Sequence, residues 1–412
     1  MHRFFRFSPY AFALPLLVAI AVSCSRDDDP FADNEYLLSG EKIFTTPKAA
    51  IINLISLIGA ASPEVAALTR HVRYDVDVYI ITYRSTLYND NITASGLVCV
   101  PVANGAFPVL SFQNGTNTIH ANAPSVNPAD FSYQLIQNVA SMGFVVIIPD
   151  YPGFGSSQEY AHPYLLKEPT VQSVADMLAS LREFDDDVAI NSTLTDDLFL
   201  FGYSQGGWAT LALHKEFEPE GVAGFSLAAS AAGAGPADLK EMLTGLLGDA
   251  VYPMPSYLAY IAHAYRTYNR FDNPYTDIFN EPFASRIPGF FNGQLSTGAI
   301  NDQLTTDIAA LLNPAFRSGF GSSSGYSGIR QALQENGTDP WNTTVPLLLV
   351  HGEADTQVPV GGTVTFHQGM LAAGSSPSMV TLVTIPGVGH GDGLLPAAVA
   401  SLEFIISFNG NR

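Results

Sequence analysis

The stretch Leu198-Phe-Leu-Phe-Gly202-Tyr-Ser204-Gln-Gly206-Gly207 decides the fold. Its first four residues are apolar and predict a buried strand, while the run from Trp208 to Phe217 predicts a helix. Ser204 lies between them with a glycine two residues away on each side, and a serine that projects from so tight a turn needs small neighbours. The helix that follows directs backbone N–H groups at negative charge that develops there. The spacing therefore predicts that Ser204 is a nucleophile, with Gly202 and Gly206 forming the turn.

A serine hydroxyl is a weak nucleophile and needs a positioned base and acid. The segment Val345–Val350 predicts a buried strand, and Asp355 comes in the loop just after it. His390 follows the last predicted strand in the glycine-rich segment Gly387-Val-Gly389-His390. Histidine transfers protons near neutral pH, and a buried acid fixes its tautomer. The order serine, aspartate, histidine predicts a catalytic triad of Ser204, Asp355 and His390.

Other acids and histidines compete for these roles. Glu353 is a possible substitute for the acid, whereas Asp392 is too close to His390 to reach its far ring nitrogen and is expected in solvent. His351, beside the end of a strand, is expected to be a structural loop residue rather than the base. Three further histidines have no comparable context and are expected to be solvated or hydrogen-bonded structural residues: His120, His162 and His214.

An oxyanion hole needs two N–H donors. The first is expected to be the amide of Gln205, directly after the nucleophile. The second is expected in Gln113-Asn-Gly-Thr116, the segment after the strand Phe107–Phe112, where a glycine permits close approach of the backbone. We favour the Thr116 amide, with the Gly115 amide as second choice. The alternative is that this segment is a plain turn.

The order of the strands predicts the fold class. Residues 74–80 alternate between apolar and polar side chains, as a half-buried strand does, and residues 93–100 predict a second strand. The later runs are short, wholly apolar and separated by helical stretches, which indicates a parallel sheet covered on both faces. These runs are Phe107–Phe112, Phe144–Ile148, Leu198–Phe201, Val222–Ala228, Val345–Val350 and Met379–Ile385. We predict an α/β fold in which a mostly parallel, twisted sheet is flanked by helices.

One segment breaks this alternation. Residues 236–336 contain no clear central strand and are rich in tyrosine, phenylalanine, proline and glycine. An insertion after the sixth predicted strand would lie above the carboxyl ends of the strands, where open α/β sheets bind ligands. We predict a cap or lid over the active site whose aromatic side chains, such as Tyr257 or Phe290, bind the acyl group. The alternative is a helical subdomain that covers surface. The predicted core is then residues 46–235 and 337–412.

The N-terminus has the pattern of a targeting segment. A short basic region precedes an apolar run, Ala11–Val22, that is too short to span a bilayer. The tetrapeptide Ala21-Val-Ser-Cys24 resembles the lipobox of bacterial lipoproteins, with alanine in place of the favoured leucine. The resemblance implies a signal peptide over residues 1–23, a lipid anchor on Cys24 and a polar tether over residues 24–45, in the cell envelope at the outer membrane or cell surface. The alternative is an ordinary secretory signal, with Cys24 incidental and the protein secreted.

The charge balance restricts the partners. Among 412 residues there are 38 acidic and 18 basic side chains, for a formal net charge of -20. Neutralising phosphates needs lysine and arginine, so nucleic acid is not an expected partner. The second cysteine, Cys99, lies in an apolar run and is expected to be buried, and two cysteines so placed predict no metal site.

Beyond the single motifs, the chain resembles the α/β-hydrolase superfamily over residues 70–408. The segments Asp150-Tyr-Pro-Gly-Phe-Gly155, Gly202–Gly206 and Gly233–Leu239 are similar to those of the secretory-lipase family. The resemblance implies action on carboxylic esters, a large cap after the sixth core strand, and no cofactor. Residues 113–116 depart from that family's usual oxyanion segment, so that a lipase and a general esterase both remain open.

The predicted function is hydrolysis of small-molecule or lipid esters through an acyl-enzyme, by a protein anchored in the cell envelope. An aromatic-lined cap on an acidic protein suits neutral or apolar esters better than anionic ones. A second interpretation keeps the triad for a serine peptidase of the prolyl-peptidase type, although such enzymes usually carry a propeller or a charged clamp for the peptide terminus. A third is a binding lipoprotein without catalysis on the same scaffold, which a complete triad disfavours.

Overall fold

The computed structural model describes residues 31–187 and 192–409, and this part of the chain builds a nine-stranded sheet. Its strands are β1 (Leu37–Thr46), β2 (Val76–Leu87), β3 (Asp90–Pro101), β4 (Gly105–Gln113), β5 (Val145–Pro149), β6 (Ser192–Tyr203), β7 (Ser226–Gly233), β8 (Leu347–Gly352) and β9 (Val380–Ile385). In space they lie in the order β1-β2-β3-β5-β4-β6-β7-β8-β9.

Antiparallel strands lead into a parallel sheet. β1, β2 and β3 pair antiparallel, and β3 also meets β5 antiparallel. The remaining neighbours, from β5 across to β9, all pair parallel. Because β4 lies beside β6, with Gln113 opposite Gly202, the loop after β4 lies next to the turn after β6. This arrangement confirms the predicted α/β fold with a mostly parallel sheet.

The first strand is a correction to the predicted tether. Residues 24–45 were expected to be a polar linker, but Leu37–Thr46 form β1 at the edge of the sheet. The carboxylate of Glu183 accepts hydrogen bonds from the amides of Glu35 (2.8 Å), Tyr36 (3.0 Å) and Leu37 (2.5 Å), and these bonds hold the start of the strand. The core therefore begins at residue 37 or earlier rather than at residue 46.

Helices cover both faces of the sheet. Their bounds are α1 (Lys48–Gly59), α2 (Pro63–Ala67), α3 (Phe131–Gln137), α4 (Lys167–Asp187), α5 (Gln205–Phe217), α6 (Leu239–Leu246), α7 (Pro255–Thr267), α8 (Tyr275–Ile278), α9 (Phe283–Arg286), α10 (Thr297–Asn301), α11 (Ile308–Leu311), α12 (Pro314–Gly319), α13 (Ser327–Glu335), α14 (Val360–Ala372) and α15 (His390–Asn409). On one face, α4 and α5 contribute Val174 and Trp208 to the core. On the other, α1, α2 and α15 contribute Ile51, Val65 and Leu402. Burial on both faces explains why the parallel strands are wholly apolar.

The insertion is helical and follows β7. This is the strand predicted as the sixth, since β1 adds one strand before it. The helices α6 to α13 lie within residues 236–336. The hydroxyl of Tyr260 donates to the carbonyl of Asn117 (3.2 Å), and that of Tyr252 donates to the carbonyl of Gln357 (3.1 Å). The insertion therefore packs on the loops after β4 and β8, at the carboxyl ends of the strands.

Candidate active site

Ser204 occupies a strained turn between β6 and α5. Its backbone has φ 60° and ψ -120°, a conformation that non-glycine residues rarely adopt. Its amide donates to the carbonyl of Gly233 (2.8 Å), which ties the turn to the neighbouring strand. A Cβ atom on Gly202 would overlap with the carbonyl of Gly206, and one on Gly206 would overlap with the carbonyl of Gln113. The close contacts of the first turn of α5 with the ends of β6 and β4 therefore require both glycines.

Three side chains from separate segments meet at this turn. The Nε2 atom of His390 lies 2.9 Å from Oγ of Ser204, and its Nδ1 atom lies 2.6 Å from Oδ2 of Asp355. Asp355 follows β8, and His390 is the first residue of α15, where the hydroxyl of Tyr203 donates to its carbonyl (2.7 Å). The structure thus joins all three residues of the predicted triad in one line of hydrogen bonds.

The carboxylate of Asp355 is buried and fully bonded. Its Oδ1 atom accepts hydrogen bonds from the amides of Gln357 (2.8 Å) and Val358 (2.9 Å). Burial by itself raises the pKa of Asp355, but the hydrogen bonds from His351, His390 and the Val358 amide outweigh it and hold the pKa well below its ordinary value. Asp355 is therefore an anion near neutral pH and stabilises a positive charge on the imidazole ring beside it.

Backbone amides face the same turn from two sides. Gln205 is the first residue of α5, and the first amides of a helix have no partner within the helix. At the end of β4, Oε1 of Gln113 accepts a 2.9 Å hydrogen bond from the hydroxyl of Tyr151. The amides of Gly115 and Thr116 have no hydrogen-bond partner among the described residues. Gln205 with either Gly115 or Thr116 can thus supply the two donors that an oxyanion needs.

The protein atoms around position 115 leave room for a side chain. A Cβ atom there would meet only the carbonyl oxygen of Tyr203, at 3.7 Å, which is an ordinary contact. The side chain of Thr116 is fixed by a 2.9 Å hydrogen bond with the hydroxyl of Tyr164. The shape of this loop therefore depends on its polar contacts, since Asn114 Nδ2 also donates to the carbonyl of Pro149.

A sequence profile agrees with this geometry. The profile of the Alpha/beta hydrolase family matches residues 119–402, more than half of the chain. The chain belongs to this family. No protein of curated function matches it in sequence.

Solved structures resemble this hydrolase over most of its length. A Legionella pneumophila protein provisionally assigned as a hydrolase is 24% identical with a TM-score of 0.80, covering 92% of this chain and 99% of that one. The rice cell wall degrading esterase LipA of Xanthomonas oryzae is 25% identical with a TM-score of 0.75, covering 91% and 97%. Candida antarctica lipase A is 15% identical with a TM-score of 0.64, covering 91% and 82%. These similarities confirm the α/β-hydrolase fold.

The competing acids lie away from the imidazole ring of this hydrolase. Glu353 is exposed, and its carboxylate accepts a 2.8 Å hydrogen bond from the hydroxyl of Thr384. Asp392 is exposed in the first turn of α15. His351 is buried, as expected of a structural residue, but its Nε2 atom lies 3.2 Å from Oδ2 of Asp355. Sequence reasoning missed this contact with the acid.

His162 is a hydrogen-bonded structural residue, as expected from the sequence. It is buried, with Nδ1 at 2.8 Å from the carbonyl of Pro152 and Nε2 at 2.9 Å from Nε2 of Gln205. Since an amide nitrogen only donates, the ring is neutral, accepts at Nε2 and donates at Nδ1. Burial lowers the pKa of His162 to about 4. The buried, neutral ring of His162 thus holds the side chain of Gln205. Gln205 is the residue whose backbone amide is expected to face the oxyanion.

A cavity of about 780 Å³ opens from Ser204. Its catalytic end is formed by Gly115, Thr116, Ser204 and His390. From the insertion, Tyr257 alone lines it in the described part of the chain, while Phe290 is 3% exposed and packs inside the insertion. Of the two aromatic residues named as examples, Tyr257 therefore lines this cavity and Phe290 does not.

Two predictions concern the cysteines. Cys24, its signal peptide over residues 1–23 and the start of the tether lie outside the described residues. Cys99 is buried and free in β3, and burial raises the pKa of its thiol, as expected for a small apolar residue.

Proposed function

We propose that this protein is a carboxylic ester hydrolase that uses Ser204 as nucleophile, His390 as base and Asp355 as acid. One observation carries the proposal: the unbroken line of hydrogen bonds from Oγ of Ser204 through both ring nitrogens to Oδ2 of Asp355. Such a line lets the ring accept the hydroxyl proton while the carboxylate stabilises the positive charge that results.

The first step forms an acyl-enzyme. Nε2 of His390 takes the proton of Ser204 while Oγ bonds to the ester carbonyl carbon. The carbonyl oxygen becomes an oxyanion, which the amides of Gln205 and of Gly115 or Thr116 stabilise. The bond to the alkoxy oxygen then breaks, and that oxygen leaves as an alcohol with the proton from Nε2. Ser204 remains as an ester of the acyl group.

Water completes the cycle. It gives a proton to Nε2 of His390 while its oxygen bonds to the acyl carbon. The second oxyanion uses the same amides, after which the bond between Oγ and carbon breaks and Oγ recovers its proton. A carboxylic acid leaves and the resting enzyme returns. No cofactor takes part in these steps.

The proposal is tested with a fluorophosphonate probe and with nitrophenyl esters. Wild type should form one covalent adduct, with loss of fluoride, and should hydrolyse the esters. Ser204→Ala should lose the adduct and about a million-fold in kcat, whereas Ser318→Ala, an exposed serine of α12, should match wild type. A wild type that forms no adduct would support the binding-protein alternative. Faster cleavage of aminoacyl-proline amides than of esters would support a peptidase.

We propose that the mature protein is held in the envelope by a lipid on Cys24. The lipobox-like segment Ala21–Cys24 supports this, and two acyl chains on one residue suffice for stable anchoring. The Cys24→Ala variant should be absent from the membrane fraction and should keep full activity on soluble esters. Wild type, but not the variant, should incorporate a radioactive fatty acid. An unlabelled wild type in the medium would show a secreted protein instead.

A further inference from the structure

The cavity that begins at Ser204 runs along α15, away from the insertion. Beyond the catalytic end, its wall comes from α1, α2, α3 and α15. Leu402, at the far end, is 12 residues after His390 on α15, which corresponds to about 18 Å along a helix. The cavity is thus elongated and starts at the reacting oxygen.

The wall of this cavity is mainly apolar. Its side chains include Ile55 and Ile58 of α1, Ile136 of α3, and Leu395 and Ala398 of α15. Polar residues near the start of α3 bond to one another instead of facing the cavity unpaired. Thus Asp130 accepts from Ser132, and the hydroxyl of Tyr133 donates to the carbonyl of Asn122.

The composition of α15 indicates that it has an apolar face besides the one that packs on the sheet. Among helices in the described part of the chain, it is the one long and apolar enough to cross a membrane. Yet it begins with His390, and its buried residues Leu402 and Ile405 belong to the core on the sheet. Leu395 and Ala398 also pack against this core, but they are only partly buried and line the cavity as well.

We propose that this cavity binds the acyl chain of the ester, as an unbranched hydrocarbon chain. The inference rests on the proposed ester hydrolysis. Three residues proposed to contact the acyl carbonyl line its catalytic end: Ser204, Gly115 and Thr116. A chain attached to the carbonyl carbon therefore extends along α15 between Ile58 and Ala398. Burial of each methylene raises kcat/KM by up to about fourfold, until the cavity is filled.

Two substrate series test the proposal on the full-length protein. The first is nitrophenyl esters with acyl chains from acetate to dodecanoate, for which kcat/KM should rise steeply with length. The second is acetates of primary alcohols of the same lengths, for which kcat/KM should change little. A steep rise in the alcohol series and a flat acyl series would overturn the proposal, because the cavity would then hold the alcohol.

Variants of the wall supply the matched controls. Ala398→Phe places a ring in the cavity and should lower kcat/KM at least tenfold more for dodecanoate than for acetate. Ala309→Phe, at an exposed alanine of the insertion, should leave both substrates unchanged. If Ala398→Phe does not fold, Ile58→Ala on α1 tests the proposal instead. It should lower kcat/KM severalfold for dodecanoate relative to acetate. Equal effects on both esters would contradict the proposal.

The two proposals fail in different ways. If the protein hydrolyses no ester, acetate included, and forms no fluorophosphonate adduct, the proposed function is wrong. If acetate is hydrolysed but chain length and both wall variants have no effect, only the assignment of the cavity is wrong.

Discussion

The Nε2 atom of His351 lies 3.2 Å from Oδ2 of Asp355, the carboxylate oxygen that also contacts the ring of His390. Both side chains of this pair are completely buried. His351 is itself held, with Nε2 2.8 Å from the carbonyl of Val358 and Nδ1 2.7 Å from Oγ1 of Thr363. The carboxylate of Asp355 is thus fixed from a second side by a residue that does not line the cavity at Ser204.

Asp355→Asn should lower kcat about ten-thousandfold, because an amide favours the wrong tautomer of His390. Glu353→Gln, two residues earlier, should leave kcat unchanged, since its carboxylate bonds Thr384 at the surface. Steady-state kinetics on a nitrophenyl ester check both variants. A larger loss for the Glu353 variant would mean that the wrong acid has been assigned.

Gly206→Ala should unfold at clearly lower urea concentration than wild type. Its Cβ atom would overlap with the backbone carbonyl of Gln113, and relief of such overlap typically costs about 1–3 kcal/mol. Gly115→Ala should change the free energy of unfolding by less than about 0.5 kcal/mol, since its Cβ atom has room. Equal destabilisation of the two variants would contradict this account of the turn.

His162 should make the stability depend on pH between about 6.5 and 4. Burial lowers its pKa to about 4, so the unfolded chain binds a proton in this window that the folded protein excludes. Stability is complete above pH 6.5 and is lost as the pH falls towards 4, by about 3 kcal/mol from this residue. Urea unfolding across this range should show a smaller decrease for His162→Gln. Parallel curves would mean that His162 is protonated in the folded protein.

Glu218→Gln should lower the free energy of unfolding by about 2 kcal/mol, as expected for hydrogen bonds to a charged group. Its carboxylate accepts from Nε1 of Trp341 (2.8 Å) and the amide of Thr344 (2.6 Å). Burial raises its pKa, but hydrogen bonds from His214, Trp341 and Thr344 prevail and lower it. The stabilisation is therefore present above about pH 4.5, the ordinary pKa of the group, and is lost as the pH falls further.

Two measurements check this assignment. The first is urea unfolding at pH 7 with Glu220→Gln, at an exposed neighbour, as the control. This variant should have the same free energy of unfolding as wild type. Ester hydrolysis by Glu218→Gln should stay normal, because α5 separates this residue from Ser204 by about 20 Å. Loss of activity at full stability would place Glu218 in the catalytic machinery.

The tight turn at Ser204 could be predicted because its signal is local. The residues Gly202 to Gly207 carry the strand end, the turn and the helix start within one short segment. The candidate acid Asp355 and the candidate base His390 could be predicted because each comes in a loop after a predicted strand. The contact of His351 with Asp355 could not be predicted in this way, because it depends on how the loop between β8 and α14 folds back on itself.

The first strand was missed for a different reason. The sequence of β1, Leu-Leu-Ser-Gly-Glu-Lys-Ile-Phe-Thr-Thr, contains a glycine and two charges and does not alternate cleanly. Its order comes from the ladder with β2 and from Glu183, which lies 146 residues beyond Leu37. Partners this distant in sequence leave no periodic pattern in the strand itself.

The prediction for the aromatic residues of the insertion was incomplete because composition does not show which way a side chain points. Tyr260 stacks between Tyr164, at 4.3 Å between ring centroids, and Phe291, at 4.2 Å. These rings join the insertion to the body instead of facing the cavity. Only the packing shows that the apolar wall belongs to α1, α3 and α15.

The position of β1 matters for anyone who shortens the chain to obtain a soluble enzyme. A recombinant chain that starts at residue 46 would leave β2 as an open edge, and exposed backbone of this kind recruits strands from other molecules and leads to aggregation. β1 is protected against such pairing by Glu41, Lys42 and two irregularities in its register. A chain that starts after Cys24 and before residue 31 would lack the residue proposed to carry the lipid and keep this protected edge.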